Sequence, residues 1–270
     1  MPLIALLGVS TFAALAAFAL PFVAAGAANP SRVPEGSLVL GALTAGGLAL
    51  ALVSLGEQAG PRNLARATAL LGVLVALDAS LRLAPAFLGA SPIFVLIVLV
   101  GYVFGPAFGF TMGALTLLLS ALLTAGIGPW LPFQMACAAW VGAGAGLLPH
   151  PANEKRRTWL LAGYGVFIGL AYGALMNLYS WPFAAPGVEL QDSLYWAPGL
   201  GLAETAHRYA TFYLTTSLWH DLTRSVATAA LLIFASSGVI SLLQRFQLRA
   251  AWHETDPAPP VLAAPEDATR

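Results

Sequence analysis

The sequence predicts an all-α integral membrane protein with eight membrane spans. Of the 270 residues, 59% are hydrophobic and only 9% are Asp, Glu, Lys or Arg, and the mean hydropathy is +0.79. A soluble domain has roughly a quarter of its residues charged. No acidic residue, Lys or Arg occurs between residues 83 and 149. This composition indicates that much of the chain is surrounded by lipid.

A membrane-spanning helix needs about 20 mostly apolar residues, and stretches that approach or reach this length recur along the chain. They are residues 3–27, 37–55, 64–87, 92–104, 107–125, 132–148, 158–179 and 211–243. We expect the first stretch to be an uncleaved helix, because it lacks the basic start of a secretory signal, although the small residues at 24–28 would tolerate cleavage. Residues 251–270 are rich in Pro, Ala and acid, which predicts a disordered tail.

The positive charges predict the orientation. Basic residues near span ends mark the cytoplasmic side, and Arg62 with Arg66, the cluster at 155–157, and Arg245 with Arg249 fall on one side of eight spans. We therefore expect a multi-pass protein of the cell membrane with both termini cytoplasmic. The external loops are then residues 85–91, 126–131 and 180–208.

A turn rich in Gly, Pro and aromatic residues separates the fifth and sixth stretches, at residues 126–135. Pro129 and Pro132 prevent one helix from running through it, because proline lacks a backbone N–H and restricts the residue before it. Trp130, Phe133 and Gln134 are thereby presented at a corner between two spans. An aromatic ring beside a free amide is a typical ligand-binding combination.

Two pairs of charged residues lie inside predicted spans, Asp78 with Arg82 and Asp221 with Arg224. Each pair is one helical turn apart, and charges within a span are costly unless they are paired or hydrated. We expect all four to face the interior as an intramembrane charge network. They are either a structural clamp or the polar wall of a ligand cavity, in which Asp221 would contact the substrate.

Further polar and aromatic residues fall near the external end of the last two spans. Trp181, Trp196 and Trp219 are placed either as interfacial anchors or as the mouth of a binding site. Asn177 and Tyr179 could add hydrogen bonds to such a mouth.

Several classes of function are excluded by missing residues. The net charge of zero gives no excess to attract nucleic acid. The single cysteine, Cys137, rules out a disulfide within the chain and a cluster of thiolate metal ligands. The phosphate-binding motif GxxxxGK[ST], the metalloprotease motif HExxH and a GxSxG nucleophile turn are all absent. We therefore expect no catalytic residues, no metal and no cofactor.

Small residues at helical spacing predict close helix contacts. Gly109 with Gly113, and Gly165 with Gly169 and Gly173, are explained by packing within the protein. Ala65, Ala69, Ala76 and Ser80 on the third stretch form a similar strip, which could pack internally or against a helix of another protein.

From residue 64 onward the chain resembles the substrate-binding membrane subunit, or S component, of an energy-coupling factor (ECF) vitamin transporter. The resemblance rests on residues 101–115, 128–135, 140–146 and 217–224, together with the terminal LLQRF at 242–246. The turn GPWLPFQM at 128–135 is similar to that of a corrinoid-type subgroup. Residues 64–250 would be the six-helix S-component-like domain, and residues 1–63 a two-helix extension.

The resemblance implies a mechanism and partners. S components bind a vitamin between the loops that follow their first, third and fifth helices, and their first helix docks on a membrane coupling subunit served by two ATPases. The contact strip here would be Ala65, Ala69, Ala76 and Ser80. The sequence thus predicts a capture subunit for cobalamin or another corrinoid. The alternatives are a different vitamin or nucleobase-like precursor, and a membrane scaffold that transports nothing.

Overall fold

The computed structural model describes residues 64–83, 92–183, 194–197 and 199–252, with side chains up to residue 247. Among the first 63 residues it describes positions 8, 11–12, 14–19, 22, 41 and 45–46, all of them helical. The loop at 85–91, most of the second predicted span and the tail from residue 253 onward lie outside the described residues.

From residue 64 onward, every regular element that the structure describes is helical. We number the α-helices α1 to α7 in chain order: α1 Leu64–Leu81, α2 Ile93–Phe104, α3 Pro106–Leu123, α4 Leu131–Gly146, α5 Glu154–Ser180, α6 Leu202–Phe212 and α7 Leu218–Trp252. A short 3-10 helix, Trp181–Phe183, extends α5, and a π-helical turn, Tyr213–Ser217, joins α6 to α7.

The helices begin and end where the local sequence provides a boundary. Asn153 caps α5, because its side-chain oxygen accepts a hydrogen bond from Arg156 N at 3.0 Å and satisfies a donor of the first turn. Gly105, with φ of 91°, separates α2 from α3, and Pro106 opens α3. Glycine accepts this positive φ without strain, and proline is well suited to a first helical turn.

The predicted start of the last span does not match the structure. It was expected at residue 211, after a long loop, but the helical path begins at Leu202, so Glu204 and Arg208 lie in a helix. The two side chains form an ion pair at 2.6 Å across one turn. Hydropathy misses α6 because it is a polar helix, whereas ion pairing four residues apart is a feature of exposed helices.

Four helical stretches among the described residues are long and apolar enough to cross a membrane: Leu64–Leu81, Pro106–Leu123, Glu154–Phe183 and Leu202–Gln247. The apolar helix α2 has 12 residues, and at 1.5 Å per residue it is shorter than the ~30 Å hydrocarbon layer. The number of eight spans therefore stays a prediction.

Glycines bring neighbouring helices into backbone contact. A Cβ added at Gly109 would overlap the backbone of Gly142 in α4, and one added at Gly113 would overlap Ala138. Between α5 and α7, Gly169 lies against Ser225, and Gly173 lies against the carboxylate of Asp221. The predicted packing role of these glycines is confirmed.

Contacts between helix termini define two ends of the bundle. At the end that we call the aromatic end, Phe94 at the start of α2 packs on Tyr172 of α5, and Phe133 at the start of α4 packs on Tyr179. At the opposite end, the basic end, His150 stacks on Tyr102, and Ser237 of α7 donates a hydrogen bond to Glu154. The basic cluster at 155–157 lies at this second end.

Candidate functional site

The predicted turn between α3 and α4 forms a tight corner at the aromatic end. Gly126 N donates to Ala121 O at 2.8 Å, and Pro132 occupies the first turn of α4, where its missing N–H costs no helical hydrogen bond. The indole N–H of Trp130 donates to Gly126 O at 3.3 Å, and 43% of this side chain is exposed. A Cβ at Gly128 would overlap the Trp130 ring, so glycine there lets the indole fold back over the turn.

Phe133 and Gln134 follow this corner on α4. Phe133 is buried, with its ring centroid 4.3 Å from that of Tyr179. Gln134 is half-buried, and its Oε1 atom is fully buried with no hydrogen-bond partner among the residues described. A buried acceptor without a partner costs about 1–3 kcal/mol. A ligand that donates a hydrogen bond would remove this cost.

Trp181 and Trp196 lie inside the protein at the aromatic end. Trp181 is fully buried, and its indole N–H donates to Leu194 O at 3.0 Å. Its ring packs 5.2 Å from that of Tyr209 on α6, and Tyr209 in turn donates a hydrogen bond to Ala174 O. Since Trp196 is also buried, interfacial anchoring does not describe either side chain.

Trp219 and Asn177 differ from these residues in exposure. Trp219 is 74% exposed and makes no ring contact with the aromatic residues that the structure describes. Its ring is therefore not part of the buried aromatic contacts around Trp181. Asn177 is half-buried on the last turns of α5, near Tyr179.

Asp221 and Arg224 form a buried ion pair at the start of α7. Arg224 Nη1 lies 2.6 Å from Asp221 Oδ1, and the guanidinium lies 5.6 Å from the centroid of the Tyr172 ring. Asp221 Oδ2 is buried without a hydrogen-bond partner among the described residues. The pair therefore places one anchored cation at this end of the bundle, beside a carboxylate that packs against Gly173 of α5.

The other charged pair contacts α3. Arg82 Nη1 donates to Ser120 Oγ at 2.8 Å, while Asp78 is completely buried beside Thr116. Within the described part of the chain, no ion pair joins either residue to α7. Asp78 and Asp221 are buried, Arg82 and Arg224 are partly buried, and the two pairs make separate sets of contacts.

Tyr172 and Tyr213 were missed by the sequence reasoning. Tyr172 lies beside the Asp221–Arg224 pair, with the centroid of its ring 5.6 Å from the Arg224 guanidinium. Tyr213 lies beside Asp221, in the π-helical turn. Such turns are frequent at functional sites, but the sequence shows no period that predicts one. The only available signal for either residue was an aromatic side chain within an otherwise apolar or hydroxyl-rich stretch.

The small-residue strip lies on the outside of α1. Ala65, Ala69, Ala76 and Ser80 are all exposed, and Gly72 extends the same face. Large apolar residues beside the strip are also exposed, including Val73 at 58% and Leu77 at 57%. The sequence left two interpretations of the strip, packing within the protein or against a helix of another protein. Packing within the protein is not observed for these residues.

The comparison with protein families agrees with this architecture. The family described as "ECF transporter, substrate-specific component" matches residues 66–241. No curated protein and no solved structure matches the chain. Because the family match spans more than half of the sequence, this chain belongs to the substrate-specific components of ECF transporters, a family of membrane transport subunits and not of enzymes.

Proposed function

We propose that this protein captures a vitamin-class molecule at the aromatic end and delivers it to the cell interior together with a coupling subunit and two ATPase subunits. The observation that carries the proposal is a buried hydrogen-bond acceptor without a partner beside the aromatic rings. Gln134 Oε1 lacks a hydrogen-bond partner among the described residues, and Gln134 directly follows Phe133, whose ring packs on Tyr179 at the aromatic end.

The sequence resemblance makes cobalamin, or another corrinoid, the first ligand to test. The structure favours a second candidate, a smaller flat ring such as a nucleobase-like precursor. Phe133, Trp181 and Trp196 are all buried, so little of their ring surface is open to a large macrocycle. A flat heterocycle with N–H donors needs less ring surface, and it could stack on Trp130, which is 43% exposed, and donate to Gln134.

The same proposal assigns α1 to the coupling subunit. Its exposed small residues allow the backbone of another helix to approach closely, which is how membrane helices associate without a hydrophobic driving force. The basic end would then face the cytoplasm, with both termini on that side.

Retention of four probes, cobalamin, riboflavin, thiamine and adenine, by the purified full-length protein tests the proposal. We expect one probe to raise the thermal unfolding temperature. Replacing Trp130 and Gln134 together with alanine should weaken its binding at least tenfold, because a stacking surface and a buried acceptor are both lost.

Trp159→Ala is the matched control, since Trp159 is exposed near the opposite end of α5. It should bind the probe as the unchanged protein does. If no probe binds, the ligand class is wrong, and failure to co-purify with a coupling subunit as well would favour a scaffold. If a probe binds equally to the double variant, the turn does not form the site.

A further inference from the structure

The N-terminal segment, defined here by the helical positions 11–12, 14–19 and 22, packs against the candidate site. Ala14, Ala17 and Phe18 are buried in one apolar cluster with Phe133, Ala136 and Cys137 of α4. Residues of α5, including Tyr172 and Tyr179, pack on the same cluster. The segment therefore lies over the junction of α4 and α5.

Phe18 inserts its ring among the proposed binding residues. It is 2% exposed, and its centroid lies 4.8 Å from that of Phe133 in an edge-to-face arrangement. It also lies 6.3 Å from the ring of Trp140, whose indole N–H donates to Thr11 Oγ1 at 3.0 Å. This hydrogen bond sets the position of the segment along the axis of α4.

Phe22 extends these contacts to the other aromatic residues of the site. Its ring lies 6.0 Å from Trp181 and 5.6 Å from Trp196, edge-on to the second. Two phenylalanines one helical turn apart thus contact three of the residues predicted from sequence to bind the substrate. The opposite face of the segment is different, since Phe12 is 75% exposed and Leu15 is 48% exposed.

We propose that the N-terminal segment is a wall of the substrate site and that Phe18 and Phe22 determine the size of the ligand. The inference rests on the proposed function and deepens it. Because the two rings lie against Phe133 and Trp196, replacing them with smaller side chains would enlarge the space beside these residues. The two rings also add two aromatic surfaces that the helices from α1 onward do not supply.

Probe binding by the purified full-length chain tests this assignment, with the four probes named above. The double variant Phe18→Ala with Phe22→Ala should bind the favoured probe about tenfold more weakly, because two aromatic surfaces next to the site are lost. It should also bind cobalamin better relative to adenine than the unchanged protein does. Phe12→Ala, on the exposed face of the same segment, should leave both affinities unchanged.

Phe18→Leu protects the test against loss of folding, since leucine fills most of the volume but has no ring. It should weaken binding while the protein remains monodisperse on size exclusion. Unchanged affinities and unchanged ligand preference in all Phe18 and Phe22 variants would overturn the inference and leave the proposed function intact. Tighter binding of a flat probe such as adenine by the alanine variant would also overturn it, because the rings would then block the site. If no probe binds to the unchanged protein, both this inference and the proposed function are contradicted.

Discussion

Gly169 shows how single residues set the geometry of the site. Its Cα faces α7, where an added Cβ would lie 2.6 Å from Ser225 Cα and 2.9 Å from Ser225 N. Ser225 follows Asp221 by one turn and donates a hydrogen bond to its carbonyl at 2.7 Å. The α5–α7 contact at Gly169 therefore helps to hold the Asp221–Arg224 pair beside Tyr172.

We expect Gly169→Ala to destabilise the protein by about 1–3 kcal/mol, because backbone atoms of α7 cannot move aside as a flexible side chain would. Thermal unfolding in detergent, followed by circular dichroism, measures the effect. Gly163→Ala is the control on the same helix, since nothing lies within 4 Å of its added Cβ. It should be neutral or slightly stabilising, because alanine favours a helix by ~0.5–1 kcal/mol over glycine. Equal losses in the two variants would contradict the packing argument.

Residues at the corner could be selected from the sequence, because proline and glycine restrict the backbone through local rules. Trp130, Phe133 and Gln134 do lie together at the aromatic end. Tyr213 could not be selected in the same way. A π-helical turn shifts the register of every following side chain, so a period of 3.6 residues does not reveal which residues of α6 and α7 share a face.

At the scale of elements, apolar length predicted α1 to α5 well and α6 poorly. The helices α2, α3 and α4 all lie in a region without charged residues, and glycine and proline mark the boundaries between them. Leu202–Phe212 does not, because its helix is stabilised by side-chain pairs such as Glu204 with Arg208. Hydropathy detects burial in lipid, and it is insensitive to helices that form for other reasons.

The prediction at the scale of elements concerns docking of the coupling subunit on α1. Ala69→Trp with Ala76→Trp would place two large side chains on the exposed strip and prevent close approach of a partner helix. We expect this variant to lose co-purification with the coupling subunit while probe binding by the isolated protein stays unchanged. Affinity purification with and without the partner subunits measures both properties.

Leu77→Trp is the matched control for the strip. Leu77 is exposed, and it lies about 100° around the helix from Ala76. It should retain the coupling subunit. Retention by the double tryptophan variant would show that the strip is not the docking face.

For the whole molecule, the sequence anticipated that polar and aromatic residues from distant parts of the chain gather at one end. Consecutive spans cross the membrane in opposite directions, so their order along the chain is sufficient to predict which span ends share a side. It could not anticipate that the N-terminal segment packs on α4 and α5. The hydrogen bond from Trp140 to Thr11 joins residues 129 positions apart, and no local pattern encodes such a pairing. The position of an additional helix around a bundle depends on how side chains fit together in three dimensions. A pattern along the sequence does not contain that information.

Orientation in the membrane is the remaining whole-molecule prediction, and the cysteine content makes it testable. Cys137 is the only cysteine and is buried, so a membrane-impermeant maleimide should not label the unchanged protein in intact cells. Ile127 is 62% exposed at the aromatic end, and Ala152 is exposed at the basic end. Ile127→Cys should be labelled in intact cells, because the basic cluster keeps the opposite end in the cytoplasm. Ala152→Cys should be labelled only after permeabilisation. The reverse pattern would place the aromatic end inside the cell, where it could not capture an external substrate.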